Sequence, residues 1–400
     1  MTKHHKPIWD RGQQIDGEMM TYTIGDDWQQ DQRLVEVDIR GSIAHVSGLI
    51  HAGLLPGEVG ANIQKGLADL LESWRRGEWN VEAQDEDVHS AIERRLIDRI
   101  GEDGGRMHLG RSRNDQVAVD MRLWLRRASE DVAQAMMNLI KACGAIADRD
   151  GHCTIPGYTH LRRAMPSTLW DWIGAHEAAF SEDLEDLDRA ATRWSRCPLG
   201  SGSGYGIPLP LDREFVAEEL GFVGPEVPVT AVQHQRGRAE LAYASVLESI
   251  ALDIGKLAAD LWLYSTGEFG FVKLPVAFTT GSSLMPQKRN PDLIELLRGN
   301  ARQVVADRAA LLAVVQDLPS GYHRDFQLIK PPLFRAHDRT LASVRILARF
   351  LPELEFQTEV LNEASSDPEL QATAKALTAA AQGQSFRQAY RETSLGGSRD

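Results

Sequence analysis

Between residues 117 and 146 the chain places Val117, Met121, Leu125, Ala128, Val132, Ala135, Leu139, Ala142 and Ile146 at steps of four and three. Only a helix brings residues at that spacing onto one face, and holding it over so many turns specifies a seam against other helices. At ~1.5 Å per residue, a helix over 116–150 is roughly 50 Å long. Tyr243, Leu247, Ile250, Ile254, Leu257, Leu261 and Tyr264 repeat the pattern. Similar helices fit 167–196, 292–318 and 331–350. Five long helices in one block predict an all-α fold with a bundle over 113–350.

The flanks differ in texture. Residues 1–112 read as a small helical domain with segments at 41–55, 58–77 and 87–100. The stretch 9–40 carries Gly12, Gly17 and Gly25 among acids and amides, and is expected to run as an extended arm over a neighbour. Residues 351–400 read as a short helical region fraying at Gly396-Gly397-Ser398. Nothing alternates cleanly at period two for long, so little strand is expected.

With 42% hydrophobic and 25% charged residues the chain suits a folded protein. A net charge of -13 argues against a nucleic-acid or anionic-membrane partner, so positive charge offered to an anion must be local. No run approaches the ~18 apolar residues a membrane span needs, and the first residues lack an apolar signal core, which gives a cytoplasmic expectation. Cys143, Cys153 and Cys197 show no metal-ligand spacing and read as idle buried thiols. His4 and His5 read as part of a frayed start. No metal or organic cofactor is expected.

Three polar stretches stand at helix mouths. Gly281-Ser-Ser-Leu-Met-Pro-Gln-Lys-Arg-Asn-Pro-Asp292 joins a hydroxyl-bearing loop to a helix start, with Asn290 as N-cap and Pro291 as first helical residue. The positive helix end, with Lys288 and Arg289, suits a carboxylate or phosphate. Gly110-Arg-Ser-Arg-Asn-Asp-Gln116 precedes the first long helix, with Asn114 or Asp115 as cap. Pro156-Gly-Tyr-Thr-His-Leu161 sits in the turn before the second, where His160 alone would read as an ordinary loop histidine. Gly200-Ser-Gly-Ser-Gly-Tyr-Gly206 lacks the spacing of a phosphate loop and reads as a tight turn. In an up-and-down bundle the first and second helix starts lie at opposite ends, so one site using all three stretches needs several chains. A homotetramer of D2 symmetry satisfies this most simply.

The 281–291 string resembles the mobile catalytic loop of the fumarase/aspartase superfamily, Gly-Ser-Ser-x-x-Pro-x-Lys-x-Asn-Pro. Within it, 110–116, 156–161, Pro198-Leu-Gly-Ser-Gly202, Asp212-Arg213 and Asp85-Glu-Asp-Val-His89 resemble the argininosuccinate lyases, over roughly residues 30 to 350. The resemblance implies a homotetramer with shared sites, and cleavage of argininosuccinate to L-arginine and fumarate, the last step of arginine biosynthesis. It implies Ser282 as the base taking a carbon proton and His160 as acid-base partner at the leaving nitrogen. Glu295 would orient that histidine, and Lys288 and Asn290 would hold the developing dianion. It also implies substrate contacts at Ser112, Arg113, Asn114, Thr159 and His89, with Tyr322, Gln327 and Lys330 at the amino-acid end.

The chain departs from the family pattern at Arg162 and Met165, at Gln233-His-Gln-Arg-Gly-Arg238, at Leu328-Ile329, at Asp27 where a substrate-contacting serine is expected, and in a short C-terminal region. These positions concern specificity rather than elimination. Two alternatives therefore stand beside the leading reading: a lyase for another N-substituted aspartate, and a catalytically idle structural relative.

Overall fold

The five long helices form at Arg113–Asp150, Leu169–Ala191, Arg238–Tyr264, Asp292–Val315 and Lys330–Phe350 in a computed structural model that describes residues 16–395. Every seam residue from Met121 to Ile146 is buried, as are Tyr243, Leu247, Ile250, Ile254, Leu257 and Leu261. The fold is all-α: strand occurs among the described residues only as three two-stranded ladders. His4, His5 and Gly396 to Ser398, expected to fray, lie outside the described residues.

The chain divides into two compact units. Unit 1 comprises the chain up to Glu130, Leu187–Val246 and Ala306–His337; unit 2 comprises Asp131–Asp186, Leu247–Val305 and the chain from Asp338 onward.

In unit 1 the described part of the expected extended arm is helical. Gly17–Ile24 is capped by the Asp16 carboxylate, which accepts from Met19 N at 2.8 Å. Gly25, at φ 56°, ends that helix instead of loosening the chain. Asp27–Gln30 and a 3-10 turn at Asp31–Leu34 then lead into Val35–His51. Helices Val35–His51, Gly57–Arg75 and Val88–Ile100 share a core of Ile39, Val46, Leu49, Ile63, Leu67, Ile92 and Leu96, none of them exposed. Gly66 permits one close approach, since a Cβ there would stand 2.7 Å from Leu96 Cδ1. A second cluster sets Trp124 in a tilted contact with Phe334 at 4.6 Å and edge-on to Tyr243, whose hydroxyl meets His337 Nδ1 at 2.8 Å.

In unit 2 the segment before the Leu169 helix is a β-hairpin, Thr154–Thr159 with Arg162–Thr168, antiparallel in the register Thr159 to Arg162. Cys153, Ile155, Leu169, Phe271, Leu361 and Ala364 form its core, with Tyr158, Trp172 and Tyr264 packed against them. The C-terminal part is helical at Thr358–Ser365, Ala372–Ala381 and Phe386–Leu395. All three cysteines are buried and free; burial pushes the Cys143 thiol up to about 12 and Cys197 up to about 11, so both stay protonated. No helix of the described residues is long and apolar enough to cross a membrane.

Candidate active site

In unit 1 a cavity of about 400 Å³ gathers six of the residues expected at a substrate site: His89, Arg113, Asn114, Tyr322, Gln327 and Lys330. The lining carries charge of both signs, with carboxylates at Asp27, Asp31, Glu86 and Asp87 and permanent cations at Arg113, Arg236, Arg324 and Lys330. Much of this charge is already paired. Lys330 Nζ stands 2.5 Å from Asp27 Oδ1 and 2.5 Å from Asp31 Oδ1. Gln327 Nε2 donates to Asp27 Oδ2 at 2.7 Å. Burial works against the Lys330 ammonium, but Asp31 and Asp27 outweigh it and hold its pKa above the ordinary lysine value. Arg113 donates to Asp87 Oδ2 at 2.9 Å and to Ser90 Oγ at 2.8 Å.

His89 is fixed from behind. Its Nδ1 lies 2.5 Å from Asp38 Oδ2, which also accepts from Gln116 Nε2 at 2.9 Å, while Asp120 Oδ2 is 3.6 Å away. Burial opposes the imidazolium, and the Asp38 carboxylate overcomes it, so the His89 pKa is raised. Asp120 is fully buried beside Asp38 and its pKa is raised well above the usual range, first by burial and then by that neighbouring charge. The arrangement favours the imidazolium form of His89 on the Asp38 carboxylate and the protonated form of Asp120 behind it. Asp38, His89 and Asp120 are also the group among the described residues with donor atoms close enough to hold a metal, all within 4.8 Å of one another.

The start of the Arg113 helix corrects the expected cap. Ser112, not Asn114 or Asp115, is the N-cap: its Oγ accepts from Asn114 N at 3.2 Å while Asp115 Oδ1 accepts from Ser112 N at 3.0 Å, a reciprocal capping pair. The other Asp115 oxygen accepts from Gly200 N at 3.1 Å and Gly202 N at 2.8 Å. The glycine run at 200–206 is thus a turn moulded on a buried carboxylate. Gly200, Gly202, Gly204 and Gly206 all have positive φ, which explains the choice of glycine.

In unit 2 the Ser282 loop is closed at its base by Thr280 pairing with Asn290 and Gly281 with Arg289. Asn290 is therefore in a short strand and donates from Nδ2 to Gly281 O at 3.3 Å; it does not cap the helix, which begins at Asp292 after Pro291. Asp292 accepts from the Thr280 hydroxyl instead. Within the loop Ser282 Oγ accepts from Leu284 N at 3.3 Å and Met285 N at 3.1 Å. Two N–H dipoles on the hydroxyl oxygen favour its deprotonated form. Ser282 is half-buried, and Lys288 and Glu295 are exposed.

His160 is not in a simple helix-to-helix turn. With Leu161 it forms the two-residue tip of the hairpin, at φ 52° and 56°. Positive φ at both positions is the mirror-image turn that suits hairpin twist. His tolerates it moderately, a branched apolar residue poorly. Leu161 is 77% exposed, and Thr159 and His160 are exposed too. Within one chain no hydrogen bond among the described residues joins His160 to Ser282 or to Glu295.

The family model described as Lyase matches residues 14–306. The argininosuccinate lyase of Sorangium cellulosum is 42% identical over 385 residues, 96% of this chain and 89% of that one. That of Stenotrophomonas maltophilia is 40% identical over 97% of this chain and 90% of its own. That of Thermotoga neapolitana is 36% identical over 96% of both. The chain belongs to the argininosuccinate lyase family. Solved structures agree in fold: EDDS lyase in complex with formate has a TM-score of 0.82 at 23% identity, covering 96% of this chain and 76% of that one. A fumarate lyase:delta crystallin from Brucella melitensis bound to cobalt has a TM-score of 0.76 at 20% identity, covering 92% and 88%.

For a member of the argininosuccinate lyase family, some supporting residues carried no expected role: Asp31 lines the cavity, and Asp38, Gln116 and Asp120 stand beyond its lining. Asp31, Asp38, Gln116 and Asp120 position Lys330 and His89. Asp38 lies in a helix whose apolar spacing is its only sequence signal. Arg236 falls in the 233–238 departure, where Gln233 also donates to Asn114 O at 3.1 Å.

Proposed function

We propose that this enzyme splits argininosuccinate into L-arginine and fumarate by β-elimination, as part of arginine synthesis. The observation that carries the reading is the cavity in which six expected ligand residues converge, in a chain 36–42% identical to proteins named argininosuccinate lyase. Ser282, its own proton passed to solvent and its alkoxide held by the Leu284 and Met285 N–H groups, takes a proton from the carbon next to a substrate carboxylate. The electron pair left on carbon spreads into that carboxylate, where Lys288 and Asn290 supply charge and donors. The pair then forms the new C=C bond as the C–N bond breaks. The leaving guanidino nitrogen takes a proton from His160, which Glu295 orients. Ser112, Arg113, Asn114, Thr159 and His89 hold the rest of the substrate, with Tyr322, Gln327 and Lys330 at the amino-acid end.

The catalytic elements come from different copies in a homotetramer, with residues 113–350 as its core, residues 1–112 as a helical domain before it and 351–400 as a short region after it. This reading is supported by the exposure of His160, Lys288 and Glu295 in the single chain. Fumarate absorbance after adding argininosuccinate tests the function. The wild type produces fumarate, and Ser282→Ala lowers kcat by at least about 10³-fold, the general-base contribution with its supporting field. Absence of product, or an unimpaired Ser282→Ala enzyme, overturns it. A panel of other aminated succinates separates the neighbouring substrate class.

A further inference from the structure

The cations nearest the amino-acid end are not equally available to a ligand. Lys330 is held between Asp27 and Asp31, and Gln327 already donates to Asp27. Arg113 is committed to Asp87 and Ser90. Arg236 is different: it lines the same cavity and is 8% exposed, yet its Nε and Nη1 are buried without a hydrogen-bond partner. Glu240 Oε1 stands 3.9 Å from Nε, beyond hydrogen-bond reach. The guanidinium lies over the rings of Phe326 at 5.1 Å and Tyr322 at 6.0 Å, both cavity residues, which fixes its plane without using its N–H groups.

A buried guanidinium with uncommitted donors is costly unless something accepts from it, and a planar fork of donors matches a carboxylate. The lining also carries carboxylates and cations side by side, which suits a group bearing both charges. We propose that Arg236 receives the α-carboxylate at the distal amino-acid end of the substrate, and so sets the preference for an amino acid over the corresponding amine. This assignment rests on the argininosuccinate reading above. It gives the departure at 233–238 a function: Arg236 supplies the anion-binding group, while Lys330 anchors Asp27 and Asp31.

The test compares argininosuccinate with the succinate adduct of 4-aminobutylguanidine, which lacks only the distal carboxylate. Wild type and the variants Arg236→Gln and Arg236→Lys are assayed for fumarate release. The wild-type enzyme shows a KM about 10- to 100-fold higher for the decarboxylated compound, the range expected when a hydrogen bond to a charged group is lost. Arg236→Gln raises KM for argininosuccinate by a similar factor with kcat little changed. The same substitution leaves the decarboxylated compound unaffected, and Arg236→Lys recovers part of the loss. Equal handling of both compounds by the wild type overturns the assignment whether or not the variants fold. So does an Arg236→Gln enzyme that loses equally on both, which would make Arg236 a packing residue. Either result leaves the lyase reading intact; no fumarate from the wild type with either compound overturns both.

Discussion

His45 carries no catalytic role, yet it sets how the enzyme answers acid. It is fully buried, its Nε2–H donates to Leu109 O at 3.0 Å, and burial together with the nearby Arg111 charge lowers its pKa to about 3. The unfolded chain takes up a proton near the ordinary value of 6.5, long before the folded one does, so protonation favours unfolding. Stability is complete above pH 6.5 and falls as pH drops toward 3. His108, lowered to about 4 mainly by burial, adds in the same direction. His89, whose pKa the Asp38 carboxylate raises, acts in the opposite sense. Comparing urea midpoints of wild type and His45→Gln between pH 8 and pH 5 isolates one group. The variant should lose up to about 1.4 kcal/mol per pH unit less on acidification. An identical slope in both proteins would remove His45 from the account. At this scale Tyr322, Gln327 and Lys330 were singled out only through the family resemblance, and the structure lines one cavity with all three. The pairing of Lys330 with Asp27 and Asp31 was not legible, because sequence pattern carries no trace of a bond between positions some 300 residues apart.

The hairpin that presents His160 is the element the sequence concealed. Two-residue hairpin turns are usually announced by Asn or Gly, and here the tip is His-Leu, flanked by strands containing Pro156 and Pro166. The left-handed conformation of Leu161 stores about 1–3 kcal/mol that its strand partners must offset. Leu161→Gly is therefore expected to raise stability by about 1 kcal/mol while loosening the turn, so thermal denaturation moves up as kcat falls. A variant that melts lower would mean that exposed Leu161 packs against something that matters more than strain. The long helices were legible to within a few residues, since their seams are set by apolar spacing. Their caps were not: Ser112 took the cap from Asn114, and Asn290 was drawn into a strand, because caps are decided by which side chain reaches a free N–H.

For the whole molecule the shared-site proposal makes a claim about mixtures. If Ser282 and His160 of one site belong to different copies, preparations of Ser282→Ala and His160→Gln, each inactive, should recover fumarate production when dissociated and reassembled together. Recovery absent from reassembled tetramers, verified by native mass, would place both residues in one copy. The bundle class was readable because five seams of this length admit few other folds, whereas the division into two compact units depends on contacts among segments far apart in sequence. The clasp formed by Asp27, Asp31 and Lys330 has a practical corollary. It ties the leading segment to a position near the other end of the polypeptide, so shortening the chain by its first thirty or so residues would delete none of the expected catalytic groups and still unseat a lysine at the floor of the pocket. Trimming or tagging that end is thus an intervention at the cavity, whatever its distance along the sequence suggests.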